Sequence, residues 1–195
     1  MTTVTIPAGT STYTISTSGV TGTLAPGLTR GGGSATRGVD ITGNNDVLIN
    51  SGTMTAGTDG AGPGGVVVSG TGVTITNQAG GYIHGAAGGV SGVYFSGVAG
   101  SGFGVVTNAG IIASGQGAGG NSGLGVVLDL GGSVTNLSTG TITGAGVYAK
   151  IAASTVVNSG VILGDSVYGA IYMTAGGTVT NLAGTIAANG AGYAV

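Results

Sequence analysis

Charged and sulfhydryl side chains are almost missing from this chain. Only 4% of the 195 residues are charged, with 3 Lys or Arg and 5 acidic residues, and there is no Cys. Recognition of phosphates needs clustered basic side chains, so the composition excludes nucleic-acid binding. The absence of Cys excludes disulfide frameworks and thiolate sites. His84 is the only His, and a single imidazole does not build a multi-histidine metal centre.

Long apolar and helical segments are missing as well. No apolar run approaches the roughly 18 residues of a membrane-spanning helix. The N-terminal "MTTVTIPAGTSTYTIS" does not have the basic and then apolar organisation of a secretory signal peptide. Pro occurs 3 times and Gly does not recur at every third position, which excludes collagen. We expect no transmembrane segment, in a chain that is either soluble as it stands or a piece of something larger.

What the chain has in abundance is Gly, with 47 residues, beside a hydrophobic fraction of 41%. A disordered linker would contain fewer Val and Ile residues. One phrase recurs, as "SVTNLSTGTI", "TVTNLAGTI", "VVTNAGII", "TVVNSGVI" and "VTITNQAGGYI". Its copies follow one another at intervals of 22 to 31 residues, which is typical of solenoid repeats. The copies are marked by Asn50, Asn77, Asn108, Asn136, Asn158 and Asn181.

Each repeat contains three short segments that alternate with a period of two and have Gly or Asn at their corners. Val, Ile, Thr and Tyr dominate these segments, and these residues favour strands over helices. The sequence therefore predicts an all-β protein, a right-handed parallel β-solenoid with about three short strands per coil and six to seven coils. Residues 38–195 would form the repeats. Residues 1–37 would form an N-terminal cap or an atypical first coil.

The marker Asn residues are predicted to form a structural ladder. The residue two positions before each Asn is always aliphatic and is expected to point inward, whereas the residue directly before it faces outward. The Asn then points inward at a corner, where it tolerates a left-handed backbone and bonds to the Asn one coil away. The ladder would thus run through all six Asn positions.

The phrase "VTN", followed by Gly and Ile, resembles the passenger regions of autotransporter-type surface proteins and of filamentous-haemagglutinin-like adhesins. The resemblance covers residues 38–195. It implies a parallel β-solenoid, export from the cell, display on the cell surface, and a role in adhesion or in building a structure.

Candidate chemistry is sparse, and we predict no catalytic site, no metal site and no cofactor. Asp129 and Lys150 occupy the same column of successive coils, about 4.8 Å apart. We interpret them as a surface ion pair, with a catalytic pair of a polysaccharide-degrading enzyme as the alternative. Asp40 and Asp46 flank "NN" and are interpreted as turn residues, with a hard-cation site as the alternative.

The outer faces offer two further candidates. Thr74-x-Thr76, Ser133-x-Thr135 and Thr178-x-Thr180 place hydroxyl and methyl groups on a regular grid, as flat ice-binding faces do, although Val47, Ile49, Val105 and Val157 interrupt it. An outward apolar stripe is predicted on the first strand of each coil, either as an interaction surface or as a face covered by the N-terminal segment. The stripe consists of Val67, Tyr94, Val127, Tyr148 and Ile171.

We expect a non-enzymatic structural protein that assembles head to tail into extracellular or cell-surface filaments. "GAGYAV" copies the start of an earlier coil, so the last coil offers open strand edges on which a second copy would continue the stack. A monomeric adhesin that binds a surface glycan through its loop corner is the alternative. The predicted end-to-end contact comprises Val4, Ile6, Tyr13, Ile15, Tyr193 and Val195.

Overall fold

The computed structural model describes residues 1–34, 36–57, 64–97, 103–115, 123–165, 167–188 and 194–195. Within these ranges all regular structure is β, and there is no helix. The all-β class predicted from the sequence is confirmed. In chain order the strands are β1 (Thr2–Thr5), β2 (Tyr13–Ile15), β3 (Val20–Leu24), β4 (Thr29–Gly31), β5 (Val39–Ile41), β6 (Val47–Asn50), β7 (Thr53–Thr55), β8 (Gly64–Val68), β9 (Thr74–Asn77), β10 (Tyr82–His84), β11 (Ser91–Phe95), β12 (Gly104–Asn108), β13 (Ile111–Ala113), β14 (Val126–Leu128), β15 (Gly132–Asn136), β16 (Thr141–Thr143), β17 (Val147–Ala149), β18 (Ser154–Asn158), β19 (Val161–Gly164), β20 (Ile171–Met173), β21 (Gly177–Asn181) and β22 (Thr185–Ala188).

The strands form three parallel sheets, and from β2 onward every third strand belongs to the same sheet, with β1 added beside β3. Sheet A has eight strands in the order β1-β3-β6-β9-β12-β15-β18-β21. Sheet B has seven, from β4 to β22, and sheet C has seven, from β2 to β20. Each coil therefore contributes one strand to each sheet, and the predicted β-solenoid with three strands per coil is confirmed.

The core is built from columns of inward side chains that repeat from coil to coil. Sheet A contributes Leu48, Ile75, Val106, Val134 and Val156, all with no exposed surface. Sheet B contributes Met54, Ile83, Ile112, Ile142 and Ile162, also fully buried. Since successive strand residues point to opposite faces, these columns place the intervening residues outside.

Residues 1–37 take part in the same three sheets. β1 pairs with β3, β2 with β5, β3 with β6 and β4 with β7, all in parallel. Two positions differ in kind from the later coils. Gly22 pairs with Leu48 in the core column of sheet A, and Arg30 pairs with Met54 in that of sheet B. These N-terminal coils therefore belong to the stack but have a different interior.

Candidate functional site

The six marker Asn residues lie in one continuous ladder. The side-chain Nδ2 of each of the first five donates to the Oδ1 of the Asn one coil further on, at 2.8 to 2.9 Å. Each also donates to a backbone carbonyl of its own turn, as Asn108 does to Gly110 at 3.1 Å. The first five side chains are at most 1% exposed, whereas Asn181 is exposed. The ladder thus satisfies the buried polar groups of this corner.

The backbone at the ladder does not require Asn for its conformation. Among the described residues other than Gly, only Asn45 has a positive φ, 55°. The expectation that the ladder residues occupy left-handed corners is therefore wrong. Asn is suited to this column because its amide supplies both a donor and an acceptor along the stack.

The predicted apolar stripe on sheet C is largely buried. Val67 is 4% exposed and Val127 is 2% exposed. Val127 pairs with Tyr94 on one side and Tyr148 on the other, so larger side chains flank it. Over these described residues the stripe is not a contiguous exposed surface, so the interaction-surface alternative of the prediction is not supported.

Ile171 does not belong to the stripe. It pairs with Val147 in a core column and is 2% exposed, and Tyr172 takes the outward position beside Tyr148. In the preceding coil, the inward residue Val147 directly follows Gly146. In the next coil, Ala170 lies between Gly169 and the inward residue Ile171, so Ala170 rather than Gly169 stands opposite Gly146. This is visible in the bond from Val147 N to the Ala170 carbonyl, which repeats the bond from Val126 N to the Gly146 carbonyl.

The predicted ion pair between Asp129 and Lys150 is not formed. The Asp129 carboxylate turns to the preceding coil, where Oδ2 accepts hydrogen bonds from the Tyr94 hydroxyl at 2.8 Å and from Gly97 N at 3.1 Å. Asp129 is 6% exposed, whereas Lys150 is exposed. Burial, together with the hydrogen bond to Asp129 and its negative charge, raises the pKa of Tyr94 to about 12. Asp129 therefore fixes the orientation of a tyrosine.

Arg37, Asp40, Asp46 and His84 also have structural partners. Arg37 forms an ion pair with Asp40 at 2.8 Å, and Oδ1 of buried Asp46 accepts a hydrogen bond from Val20 N at 2.8 Å. His84 lies half-buried beside the Tyr82 ring, 5.3 Å between centroids, and burial lowers its pKa. No group of three His or acidic side chains with the spacing of a metal site occurs in the described ranges.

Three tyrosines cluster at the C-terminal end of sheet C, and the sequence reasoning did not identify them as a group. Tyr148 stacks on Tyr172, with centroids 5.5 Å apart and planes at 13°, and Tyr168 lies 6.1 Å from Tyr148. Tyr168 is 45% exposed and Tyr172 is 46% exposed. Tyr148 and Tyr172 lie at paired outward positions of neighbouring strands, which brings their rings together. This pairing can be recognised only when the register of the two strands is known.

The N-terminal end of the solenoid closes on its own side chains. Ile6 is 0% exposed and Ile15 is 3% exposed, so neither is available for the predicted end-to-end contact. Their tips fill the space left by Gly22, where an added Cβ would lie 2.6 Å from Ile15 Cδ1 and 3.3 Å from Ile6 Cδ1. Val4 and Tyr13 are half-buried. We call this region the closed end.

Arg30 completes the closed end. It is 7% exposed, and its guanidinium donates to Pro7 O at 3.4 Å, to Ser11 Oγ at 3.0 Å and to Thr12 O at 3.1 Å. It also lies over the Tyr13 ring, 5.5 Å from the centroid. The cation ties the turn at residues 7–12 over the core through charge-assisted bonds.

Over the residues that the structure describes, the C-terminal end is open. Met173, Val179 and Ile186 continue core columns but are half-exposed, and Leu182 and Val195 are 67% and 69% exposed. A pocket of about 460 Å³ lies here, lined in part by Ile171, Met173, Val179 and Val195. Ile171 N donates to the Ala194 carbonyl at 3.1 Å, which sets Val195 in the core column of sheet C. Tyr193, the remaining predicted contact residue, lies outside the described residues. We call Met173, Val179, Leu182, Ile186 and Val195 the open end.

Comparison with family models, with curated protein sequences and with solved structures gives no significant match. Within the described parts of the chain there is no helix of the length and hydrophobicity needed to cross a bilayer.

Proposed function

We propose that this protein is a non-enzymatic structural β-solenoid that acts outside the cell or on its surface, in the manner of the passenger-type proteins that it resembles. Its copies associate end to end through the open end. The observation that carries the proposal is the contrast between the two ends, because core columns that are fully buried along the solenoid become half-exposed at Met173, Val179 and Ile186.

Backbone pairing gives this association its direction. Within the described residues, β21 and β22 pair with a strand on one side only, and so do β1 and β2 at the other end. Unpaired strand edges recruit further strands. All ladders of the solenoid are parallel, and a second copy stacked in the same orientation keeps them parallel. Such a head-to-tail contact does not close on itself and extends into a filament.

Side chains at the contact fit in one column and conflict in another. Val179 of one copy would meet Val4 of the next, which continues an aliphatic column. Asn181 would stand opposite position 6 of the next copy, where the Ile6 side chain is buried within its own chain and has no amide to continue the ladder. The Asn181 amide donates one of its hydrogens to the Gly184 carbonyl at 2.8 Å, so the contact leaves its other N–H without a partner, at a cost of about 1–3 kcal/mol. We expect an association that is concentration-dependent and reversible.

Electron microscopy and light scattering of the purified chain at rising concentration test this proposal. Val179→Asp puts a charge on the open end and is expected to abolish filaments while the circular dichroism spectrum stays β-rich. Leu137→Asp is the control, since it puts the same charge on a side chain that is 41% exposed in the middle of the stack, away from the open end. A chain that remains a single monodisperse monomer at high concentration contradicts the proposal.

A second candidate function is glycan binding by a monomeric adhesin, which the tyrosine cluster favours. Exposed aromatic rings such as Tyr168 and Tyr172 combine an apolar face with a polar hydroxyl, which suits the two-sided character of a sugar ring. Part of the loop corner that the sequence predicted for this role, at 98–102 and 116–122, lies outside the described residues. A glycan array would test the candidate, with Tyr172→Ala expected to remove binding and Tyr82→Ala, on sheet B, expected to preserve it. An array without hits contradicts it.

A further inference from the structure

We propose that the outer face of sheet A binds ice, through a two-row array of hydroxyl and methyl groups that orders water in the spacing of the ice lattice. This face is separate from both ends, so the inference does not depend on end-to-end association.

The array is more regular than the sequence phrases suggested. Pairing in sheet A is residue to residue across all eight strands. β1 and β3, which the repeat alignment did not include, add Thr3-x-Thr5 and Thr21-x-Thr23 to the grid. One outward row is Thr3, Thr21, Val47, Thr74, Val105, Ser133, Thr155 and Thr178, and the other is Thr5, Thr23, Ile49, Thr76, Thr107, Thr135, Val157 and Thr180.

The face is accessible and uncharged. Every one of these positions is exposed or half-exposed, and none carries a charge. Twelve hold a hydroxyl, on Thr or Ser, and four hold Val or Ile. None of the twelve hydroxyls bonds to another described residue. Thr presents a methyl and a hydroxyl from a side chain with restricted χ1, so the methyls restrict the orientation of nearby water while the hydroxyls anchor it.

The dimensions of the grid approach those of ice. Neighbouring strands lie about 4.8 Å apart and alternate residues of one strand about 6.6 Å apart. Water oxygens in a hydrogen bond lie about 2.75 Å apart, so tetrahedral second neighbours lie about 4.5 Å apart and the hexagonal repeat is about 7.3 Å. The difference is less than about 1 Å per step, so the two lattices match over a few coils at a time.

The second row contains an uninterrupted run of Thr, whereas the run Ser133, Thr155 and Thr178 of the first row begins with a residue that has no methyl group. We expect binding to be strongest at the Thr run. Thr76, Thr107 and Thr135 follow one another in three successive coils, and Val157 separates them from Thr180. A bulky side chain in the middle of this run would hold the lattice away from both neighbours. The outer face of sheet B has no such run, because Tyr82, Ile111 and Val161 interrupt its Thr column.

Thermal hysteresis and inhibition of ice recrystallisation by the purified chain test the inference. Thr107→Tyr is expected to lose most of both activities. Thr141→Tyr, on sheet B and equally half-buried, is expected to keep them, and Val157→Thr is expected to increase them by joining the run to Thr180. A folded wild-type chain without either activity overturns the inference, and so does an equal loss in Thr107→Tyr and Thr141→Tyr.

Discussion

The two ends of this solenoid cover their apolar core columns to different extents. A stack of identical coils leaves an apolar cross-section at each end. At the closed end, Gly22 occupies a core position without a side chain, and the tips of Ile6 and Ile15 fill the space. The Arg30 side chain donates hydrogen bonds to the turn that lies over it. At the open end, Val179 and Ile186 keep the side chains of the repeat and remain half-exposed. A cap therefore needs sequence that departs from the repeat, whereas faithful repetition leaves apolar side chains of the described residues partly exposed.

The largest effect is expected from truncating one core residue at each end. Ile6→Ala should lower the free energy of unfolding by about 2–5 kcal/mol, because Ile6 is fully buried and the vacated space is not filled. Val179→Ala should cost less than about 1 kcal/mol in the monomer, since part of that side chain is already in water. Urea denaturation followed by far-ultraviolet circular dichroism, at low protein concentration, measures both. Equal losses would show that the ends do not differ in packing.

The Asn ladder offers a comparison between the middle and the open end. Asn108→Ala leaves the Asn77 amide and the Gly110 carbonyl without their partners in the core, for about 2–3 kcal/mol. Asn181→Ala, at an exposed position, should cost under about 1 kcal/mol because water replaces the lost partner. The same denaturation experiment applies. A large loss for Asn181→Ala would mean that the C-terminal corner is covered in solution.

Refilling the position of Gly22 tests how the closed end is built. Gly22→Val restores an aliphatic residue to the column, but its side chain would overlap the tips of Ile15 and Ile6, for a loss of about 1–3 kcal/mol. Combining it with Ile15→Ala should recover part of that loss, since the two positions share one space. Thermal melting of the two single variants and the double variant gives the coupling. If the losses of the two single variants simply add in the double variant, the idea that the side chains at positions 22 and 15 share one space is contradicted.

The smallest expected effect concerns the middle of the stack at alkaline pH. The Tyr94 pKa of about 12 lies above its ordinary value of 10.0, so folding favours the protonated hydroxyl. Its contribution to stability is present below pH 10 and is lost as the pH rises through about 12. Ultraviolet absorbance titration should detect this late-titrating tyrosine, and Asp129→Asn should bring its pKa closer to 10. Tyr94→Phe is the control that removes the transition altogether.

The repeat made much of the architecture predictable. The period of the Asn phrase, the two-residue alternation and the absence of helical periodicity together predicted three strands per coil, and the sheets follow that prediction. The inward aliphatic column of sheet A could be predicted residue by residue, since one residue type recurs at a fixed distance from each Asn. Ile171 was misplaced because the repeats differ in length, and one extra residue reverses the inward and outward sense of a strand.

Interactions between unlike side chains of neighbouring coils could not be predicted with the same success. Asp129 and Lys150 are adjacent in column, but a column does not reveal which way a side chain leans, and Asp129 leans toward Tyr94. The closed end was missed for a related reason. Gly22 and Arg30 look like departures from the repeat in the sequence, and only their positions beside Ile6, Ile15 and Tyr13 give them a role.

The sequence by itself determined the fold class, the strand content and the identity of the ladder, because these depend on local periodicity and on residue types that repeat. The tertiary structure alone decided that one end is closed and the other open, that three tyrosines cluster, and that two more strands extend the Thr array. These features depend on which side chains share a space across coils, and that contact is set by register and volume over distances that the local pattern does not encode.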